Sequence, residues 1–589
     1  MSRGSLIQAS CWIAVAFCAW FWPRFGESFF QVLERWLAVA ASRPARCCLA
    51  LLALVLGLRA VLLPLWPVPV PAVQDEFSYL LMADTFVHGR LANPMHPLWQ
   101  FFEATHVLSI PWYASKFFPG QGLFLAAGQV LTGVPWAGVW LSCGLMAAAT
   151  LWAAFAWLPP SWALLAGAFS IPLSVSSYWM NSYWGGAVPA LGGALAVGAA
   201  GRLAGTGGAP LRNAALLVSG SVLLCWTRPF EGLLLLIPLF VYLIWKAWGK
   251  APVGVWLTIA AAGAAGAALL GYYDLRITGS PWIAPEAAYQ NQYGSAPLFT
   301  FLEFSAPKTL PDAHMELVHN VWERELILDA RTPRGMAKRL GRVWQAAVDF
   351  TGGYWLFLFP AILFFNRLRT QPPGILLAFI LVGAAGALVE MTYLPHFLAP
   401  FFAATVIVAA EGFRQLQAWE PGQAPYGRFL VRAILVVGVC LVAGQAGLNR
   451  IREQEDRDAM IYRRLRTEKR PLLEQSLPPG NTSSWSATNR PTIFTPSGST
   501  TGPILIRPAW FGRTTLGNRK TESFCSIIPT ERSGSSGPIR IRNWWRSTGN
   551  QPAVQSLLFC FRGYSACPEA PARTIVQPDY GEYDQQQCG

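Results

Sequence analysis

Two adjacent carboxylates, Asp75 and Glu76, open a polar stretch after the second long apolar run, in Pro71-Ala72-Val73-Gln74-Asp75-Glu76-Phe77-Ser78-Tyr79-Leu80-Leu81. A carboxylate at the mouth of a membrane helix is costly to desolvate and is a functional candidate by default. It can take a proton from a hydroxyl, at the depth where a bound lipid would present its head group. The plain structural alternative for Asp75 is a first-turn carboxylate that answers the helix dipole or caps free N–H groups.

The same stretch carries Asp84, His88, Arg90, His96, Glu103, His106 and Lys116. The histidines His88, His96 and His106 match no zinc spacing and read as surface or interface residues. Asp84 reads as solvated. Lys116 sits in Tyr113-Ala114-Ser115-Lys116-Phe117-Phe118-Pro119-Gly120, where the chain turns apolar again. An ammonium there either snorkels to lipid phosphates or holds the phosphate of a bound lipid substrate.

Three shorter polar interruptions follow. Ser177 to Gly186 doubles a Tyr-Trp pattern around Asn181, Tyr183 and Trp184. An aromatic belt at the membrane interface is one reading. The other is a sugar platform, with ring faces stacked on a pyranose while Asn181 and the tyrosine hydroxyls bond its hydroxyl groups. In Thr227-Arg228-Pro229-Phe230-Glu231-Gly232, Arg228 and Glu231 either pair with each other or bind a ligand at the boundary. A later loop contributes Asp274, Arg276, Tyr289 and Tyr293, and Glu390 and His396 flank the last polar turn.

The elements that must position these residues are membrane helices. Only 13% of the 589 residues are charged and 53% are hydrophobic, with 27 Trp and 35 Phe. Ordinary soluble domains carry about 25% charged residues. A membrane helix needs about 20 mostly apolar residues. Spans are expected at 6–22, 47–66, 136–157, 161–179, 183–201, 213–227, 229–247, 252–274, 352–367, 372–389, 397–413 and 429–448. The fold class expected is an all-α polytopic membrane protein of about twelve spans. The first span resembles a signal peptide, but Pro23-Arg24 replaces a small-residue cleavage site, so a retained helix is expected. Residues 27–40 read as an amphipathic helix lying in the interface.

Basic residues in the short loops orient the chain. Arg35, Arg43, Arg46, Arg202, Arg212, Lys246, Lys250, Arg367, Arg369, Arg414, Arg428 and Arg432 all fall on one side, taken as cytoplasmic, if 119–133 is shallow and does not cross. Loops 67–118 and 275–350, and the three polar turns, then face outward. The domain organisation expected is residues 1–44 as a first span plus amphipathic helix, 45–450 as the main membrane domain, and 451–589 as an external tail.

The formal net charge of +14 fits cytoplasmic loops and anionic lipid rather than a nucleic-acid partner. Cys11, Cys18, Cys47, Cys48, Cys143, Cys225 and Cys440 lie in or beside apolar runs and read as small apolar fillers. There is no P-loop, dinucleotide fingerprint, Gly-x-Ser-x-Gly elbow or HExxH. From about Asn481 the texture changes to Ser, Thr, Arg, Pro and Asn. That segment reads either as a disordered tail or as an out-of-frame translation, and no function is assigned to it.

Three motifs together resemble a family. D-E-F-S-Y-L-L at Asp75–Leu81, S-Y-W-x-N-S-Y-W-G-G at Ser177–Gly186 and R-P-[YF]-E-G at Arg228–Gly232 are similar to those of a bacterial group within the GT-C integral membrane glycosyltransferases. That superfamily includes protein O-mannosyltransferases, the aminoarabinose transferase acting on lipid A, and lipopolysaccharide sugar transferases. The resemblance covers roughly residues 45–470. It implies a GT-C-like bundle in the bacterial inner membrane with its site on the periplasmic face. It implies a polyprenyl-phosphate sugar donor and a glycolipid, glycan or protein acceptor. The catalytic Asp of the first external loop would be Asp75, with Glu76 beside it, and Lys116 would contact the donor phosphate. Arg228 and Arg276 would add positive charge there, with Glu231 orienting Arg228. His396 and the turn of Asn181, Tyr183 and Trp184 would shape the sugar pocket. The chain departs from the pattern in lacking a doubled proline after Lys116. It also has Asn181 where some relatives place Asp, which bears on whether a divalent cation is bound; no other cofactor is implied. The alternative is a solute transporter or lipid flippase. Against it, no half-to-half repeat is visible and the polar residues cluster outside the membrane centre. A third class is a non-catalytic assembly subunit.

Overall fold

The computed structural model describes residues 3–205, 208–311, 313–353 and 357–464. The chain divides into two compact units, and everything below belongs to the first, whose described part ends at Asp456. The altered segment after about residue 480 lies outside the described residues.

The protein is predominantly helical and carries seven helices long and apolar enough to cross a membrane. These are Pro44–Val61, Trp136–Ala154, Ala187–Ala204, Pro229–Ala247, Val253–Thr278, Pro395–Gln417 and Tyr426–Gly444. Four shorter apolar helices, Ser10–Phe21, Pro160–Val175, Pro210–Cys225 and Gly374–Val389, occupy further expected spans. The expected twelve are therefore not all full-length. Residues 352–367 form no continuous helix among the described residues, only Phe359–Leu363 and Phe365–Leu368.

Local chemistry explains several boundaries. Proline opens the helices at Pro44, Pro160, Pro210 and Pro229, where its missing N–H is lost at no cost. The helix α1 (Arg3–Phe21) is followed by the amphipathic α2 (Glu27–Ala41), with Phe29 and Trp36 exposed along it. Two ion pairs, Glu27–Arg428 and Glu34–Arg432, tie α2 to the last helix. That helix starts at Tyr426 and runs unbroken through residue 450.

Small residues let the central helices meet. An 18-residue stretch of Pro395–Gln417 is wholly buried, and a Cβ on Gly193 of the Ala187–Ala204 helix would collide with the Pro400 carbonyl. Such close backbone approach is the usual packing device where lipid gives no hydrophobic push between helices.

The two long loops are ordered, and the first adds a small sheet to the helical fold. After α3 (Pro44–Val61) comes α4 (Gln74–Val87), which carries Asp75. Strands β1 (Asn93–Pro94), β2 (Val107–Leu108) and β3 (Trp112–Ser115) form an antiparallel sheet in the order β1-β3-β2. The helix α5 (Pro119–Thr132) has 14 residues, too few to cross a core of about 30 Å. It packs between α4 and the Trp136–Ala154 helix. In the second loop, Pro285–Tyr293, a π-helical turn at Leu317–Trp322, Glu323–Ala330 and Pro333–Phe350 follow one another. The loops lock together: the His106 N–H donates to Tyr289 Oη at 3.0 Å, and Tyr293 Oη donates to Glu103 at 2.9 Å.

Candidate functional site

Segments far apart in sequence meet around one cavity of about 320 Å³. Asp75 and Tyr79 reach it from α4, and His106, Lys116 and Phe117 from the sheet region. Trp184, Arg228, Glu231, Glu390 and His396 come from the three polar turns, and Glu286, Glu323 and Arg342 from the second loop.

Asp75 stands in the first turn of α4. Its Oδ1 lies 3.6 Å from His106 Nε2, in contact but beyond hydrogen-bond length. Burial pushes its carboxyl above the usual range, while Lys116 and then Arg228 pull it back and Glu76 pushes it further up. Lys116 and Arg228 thus favour the charged form of a partly buried carboxylate.

Glu76 has a different environment. Its Oε2 accepts from the backbone N–H groups of Ala72 at 2.6 Å and Val73 at 3.1 Å, and its Oε1 accepts from Tyr183 N–H at 2.9 Å. It is buried and absent from the cavity lining, and it clasps the start of α4.

Lys116 follows β3, its N–H donating to the His106 carbonyl at 3.1 Å. Its ammonium sits 5.1 Å from the Tyr289 ring centroid and 5.2 Å from that of Phe117. Aromatic faces hold a cation without neutralising it. Arg228 likewise lies 3.9 Å over the Phe397 ring, with Nη1 3.8 Å from Glu231 Oε1. His396 is buried, its Nδ1 paired with Tyr178 Oη at 2.9 Å and its ring edge-on to Trp184 at 4.8 Å.

Five polar atoms on residues lining the cavity have no hydrogen-bond partner among the described residues: His106 Nδ1, Glu231 Oε1, Glu390 Oε2, Tyr393 Oη and His396 Nε2. Buried polar atoms are nearly always satisfied in native proteins, and an orphan requires an explanation.

Of the residues singled out from sequence, the cavity brings together Asp75, Lys116, Trp184, Arg228, Glu231 and His396. Asn181, Tyr183 and Arg276 are elsewhere. Asn181 Oδ1 accepts from Arg59 Nη2 at 3.1 Å, and its Nδ2 donates to Ser177 O at 2.9 Å. Tyr183 Oη donates to Pro69 O at 3.0 Å. Arg276 is exposed and donates to Tyr272 Oη at 3.3 Å. His106, expected at a surface or interface, is instead in the cavity wall beside Asp75. Tyr79 could have been found, since it lies four residues after Asp75 on the same helical face. Glu390, marked beside the last polar turn, also lines the cavity, whereas Glu286, Glu323 and Arg342 carried no local signal.

The residues present do not fit a protein-held divalent cation. Among the described residues no three His, Cys, Asp or Glu side chains converge on one point, and the cavity carboxylates stand with Arg228 and Lys116 beside them.

Compared with known proteins, the chain matches no family model and no curated protein.

Proposed function

We propose that the protein is a GT-C-like membrane glycosyltransferase, moving a sugar from a polyprenyl-phosphate donor to an acceptor hydroxyl on the outer face of the bacterial inner membrane. The observation that carries this reading is that Asp75, Lys116 and Arg228 line a single cavity. A proton acceptor and cations for a departing phosphate are the parts such a transfer needs.

In the reaction, Asp75 takes the proton as the acceptor O–H bond breaks. The oxygen forms a bond to the anomeric carbon from the side opposite the leaving group, and the bond from that carbon to the phosphate oxygen breaks. The electron pair leaves with the polyprenyl phosphate, so negative charge grows there. Lys116 and Arg228 face that charge, and one such preorganised contact is typically worth about 3 kcal/mol. Glu231 orients Arg228, and Trp184 and His396 form the wall against the sugar ring. The donor's isoprenoid chain would lie in lipid beside the helices, leaving only its head group to enter. The acceptor would be a glycolipid, glycan or protein carrying a free hydroxyl.

The test uses purified protein in lipid nanodiscs with a panel of polyprenyl-phosphate hexoses and pentoses labelled in the sugar. Release of free polyprenyl phosphate, lost in Asp75→Asn protein that remains folded, is the expected outcome. In proteoliposomes, label that merely redistributes across the bilayer without release would establish the carrier reading instead. Full activity in Asp75→Asn would move the base elsewhere.

A further inference from the structure

We propose that His106 is the positioning residue for Asp75, and that Tyr289, His319 and Glu323 form a buried strut that holds His106 in place. The inference rests on the reading of Asp75 as the proton acceptor and adds a device, spread over both long loops, that aims it.

The first observation is backbone geometry. His106 has φ 67°, the left-handed region that side chains with a Cβ seldom adopt. Such a conformation persists only when its surroundings over-determine it. Here they do. The His106 N–H donates to Tyr289 Oη at 3.0 Å, and its carbonyl accepts from Lys116 N–H at 3.1 Å and from Ser78 Oγ at 2.6 Å. The backbone is held from three elements, and the ring it carries points Nε2 at Asp75 Oδ1.

The second observation is the strut. Tyr289 Oη, which accepts from His106 N–H, pairs with His319 Nε2 at 2.8 Å. His319 Nδ1 pairs with Glu323 Oε2 at 3.0 Å. An ionised Glu323 only accepts, so Nδ1 carries a proton, and in the neutral ring Nε2 then accepts from Tyr289. Tyr289 and His319 are fully buried and Glu323 nearly so. A polar network at that depth is favourable only when complete, and a packing role alone would be met by apolar side chains. His319 also sits on the π-helical turn at Leu317–Trp322, a distortion frequent at functional sites.

The chemistry follows from the charges in view. Burial first, then Lys116, hold the His106 imidazole well below its usual range. Asp75 faces Lys116, Arg228 and Glu76 besides His106. A neutral ring with its proton on Nε2 donates toward the carboxylate and stabilises its charged form. The 3.6 Å separation closes to hydrogen-bond length when substrate fills the cavity. His106 exchanges no proton in the reaction; the acceptor proton stays on Asp75.

The test combines carboxyl 13C NMR of aspartate-labelled full-length protein in nanodiscs with kinetics, and Asp75→Asn assigns the Asp75 resonance. In Tyr289→Phe and His106→Ala, Asp75 is expected to titrate at higher pH than in wild type. His106→Gln, which keeps an N–H donor, falls between. In the transfer assay, Tyr289→Phe should lower kcat by about 10–100-fold with donor KM unchanged, the range seen when a supporting contact is removed. Unaltered Asp75 titration in folded Tyr289→Phe and His106→Gln proteins would overturn the inference. If Asp75→Asn retains transfer, the base reading itself fails. If Asp75→Asn is inactive while the other variants titrate as wild type, only the strut fails.

Discussion

The Tyr183 amide donates to Glu76 Oε1 at 2.9 Å, and this bond fastens the start of the helix bearing Asp75 to the aromatic turn bearing Trp184. Adjacent carboxylates thus have separate tasks. Asp75 faces the cavity, and Glu76 holds the wall in which Asp75 is set.

Glu76→Ala should therefore act on stability. It would strand backbone donors at Ala72, Val73 and Tyr183, of which the buried Tyr183 N–H costs about 1–3 kcal/mol when left unpaired. Thermal unfolding in detergent should show a large drop, while transfer per folded molecule in Glu76→Gln stays within a few-fold of wild type. A stable but inactive Glu76→Gln protein would return that carboxylate to the chemistry.

The Asp75 carboxyl is pushed up mainly by burial. As a base it must be ionised, so the acid limb of kcat against pH should lie above the ordinary carboxylate range. The stability sign follows from the same shift. The folded state holds the proton more tightly than the unfolded chain, so the Asp75 contribution is full below the unfolded pKa and is lost as pH rises through the folded one. Stability of wild type relative to Asp75→Asn should fall across that window. A rise would contradict the sign.

Arg228 pairs with Glu231 and lies flat on Phe397. Lysine cannot reproduce a planar group stacked on a ring. Arg228→Lys should cost about 2 kcal/mol in kcat/KM, roughly 30-fold, at the scale of one preorganised contact. Lys116→Gln should cost at least as much and raise the salt sensitivity of donor binding little, since its ammonium is enclosed by Tyr289 and Phe117. Steady-state kinetics at two ionic strengths checks both.

Arg276 resembled a phosphate ligand in sequence but is exposed and bonds only to Tyr272 Oη among the hydrogen bonds described. Arg276→Gln should leave kcat/KM within about 2-fold and stability within about 0.5 kcal/mol, as for ordinary surface changes. A larger loss in the transfer assay would place Arg276 at the donor.

Composition and apolar run length were enough to read a helical membrane protein, because the bilayer demands a minimum length of apolar helix whatever lies around it. They also marked the charged interruptions, since a charge beside lipid stands out against its neighbours. The span expected at 352–367 failed because apolar residues alone do not say whether a short run continues as one helix. Which charges converge was beyond local reading. Asp75 and Glu76 are neighbours, yet a helix turns each residue by about 100°, so one meets the cavity and the other the Tyr183 turn. His106 has no sequence motif at all. Its place beside Asp75 comes from a left-handed backbone and a hydroxyl from the other long loop. Arg228 and Arg276 both border apolar helices, and only the packing of the turns against the second loop puts one in the cavity and leaves the other outside it.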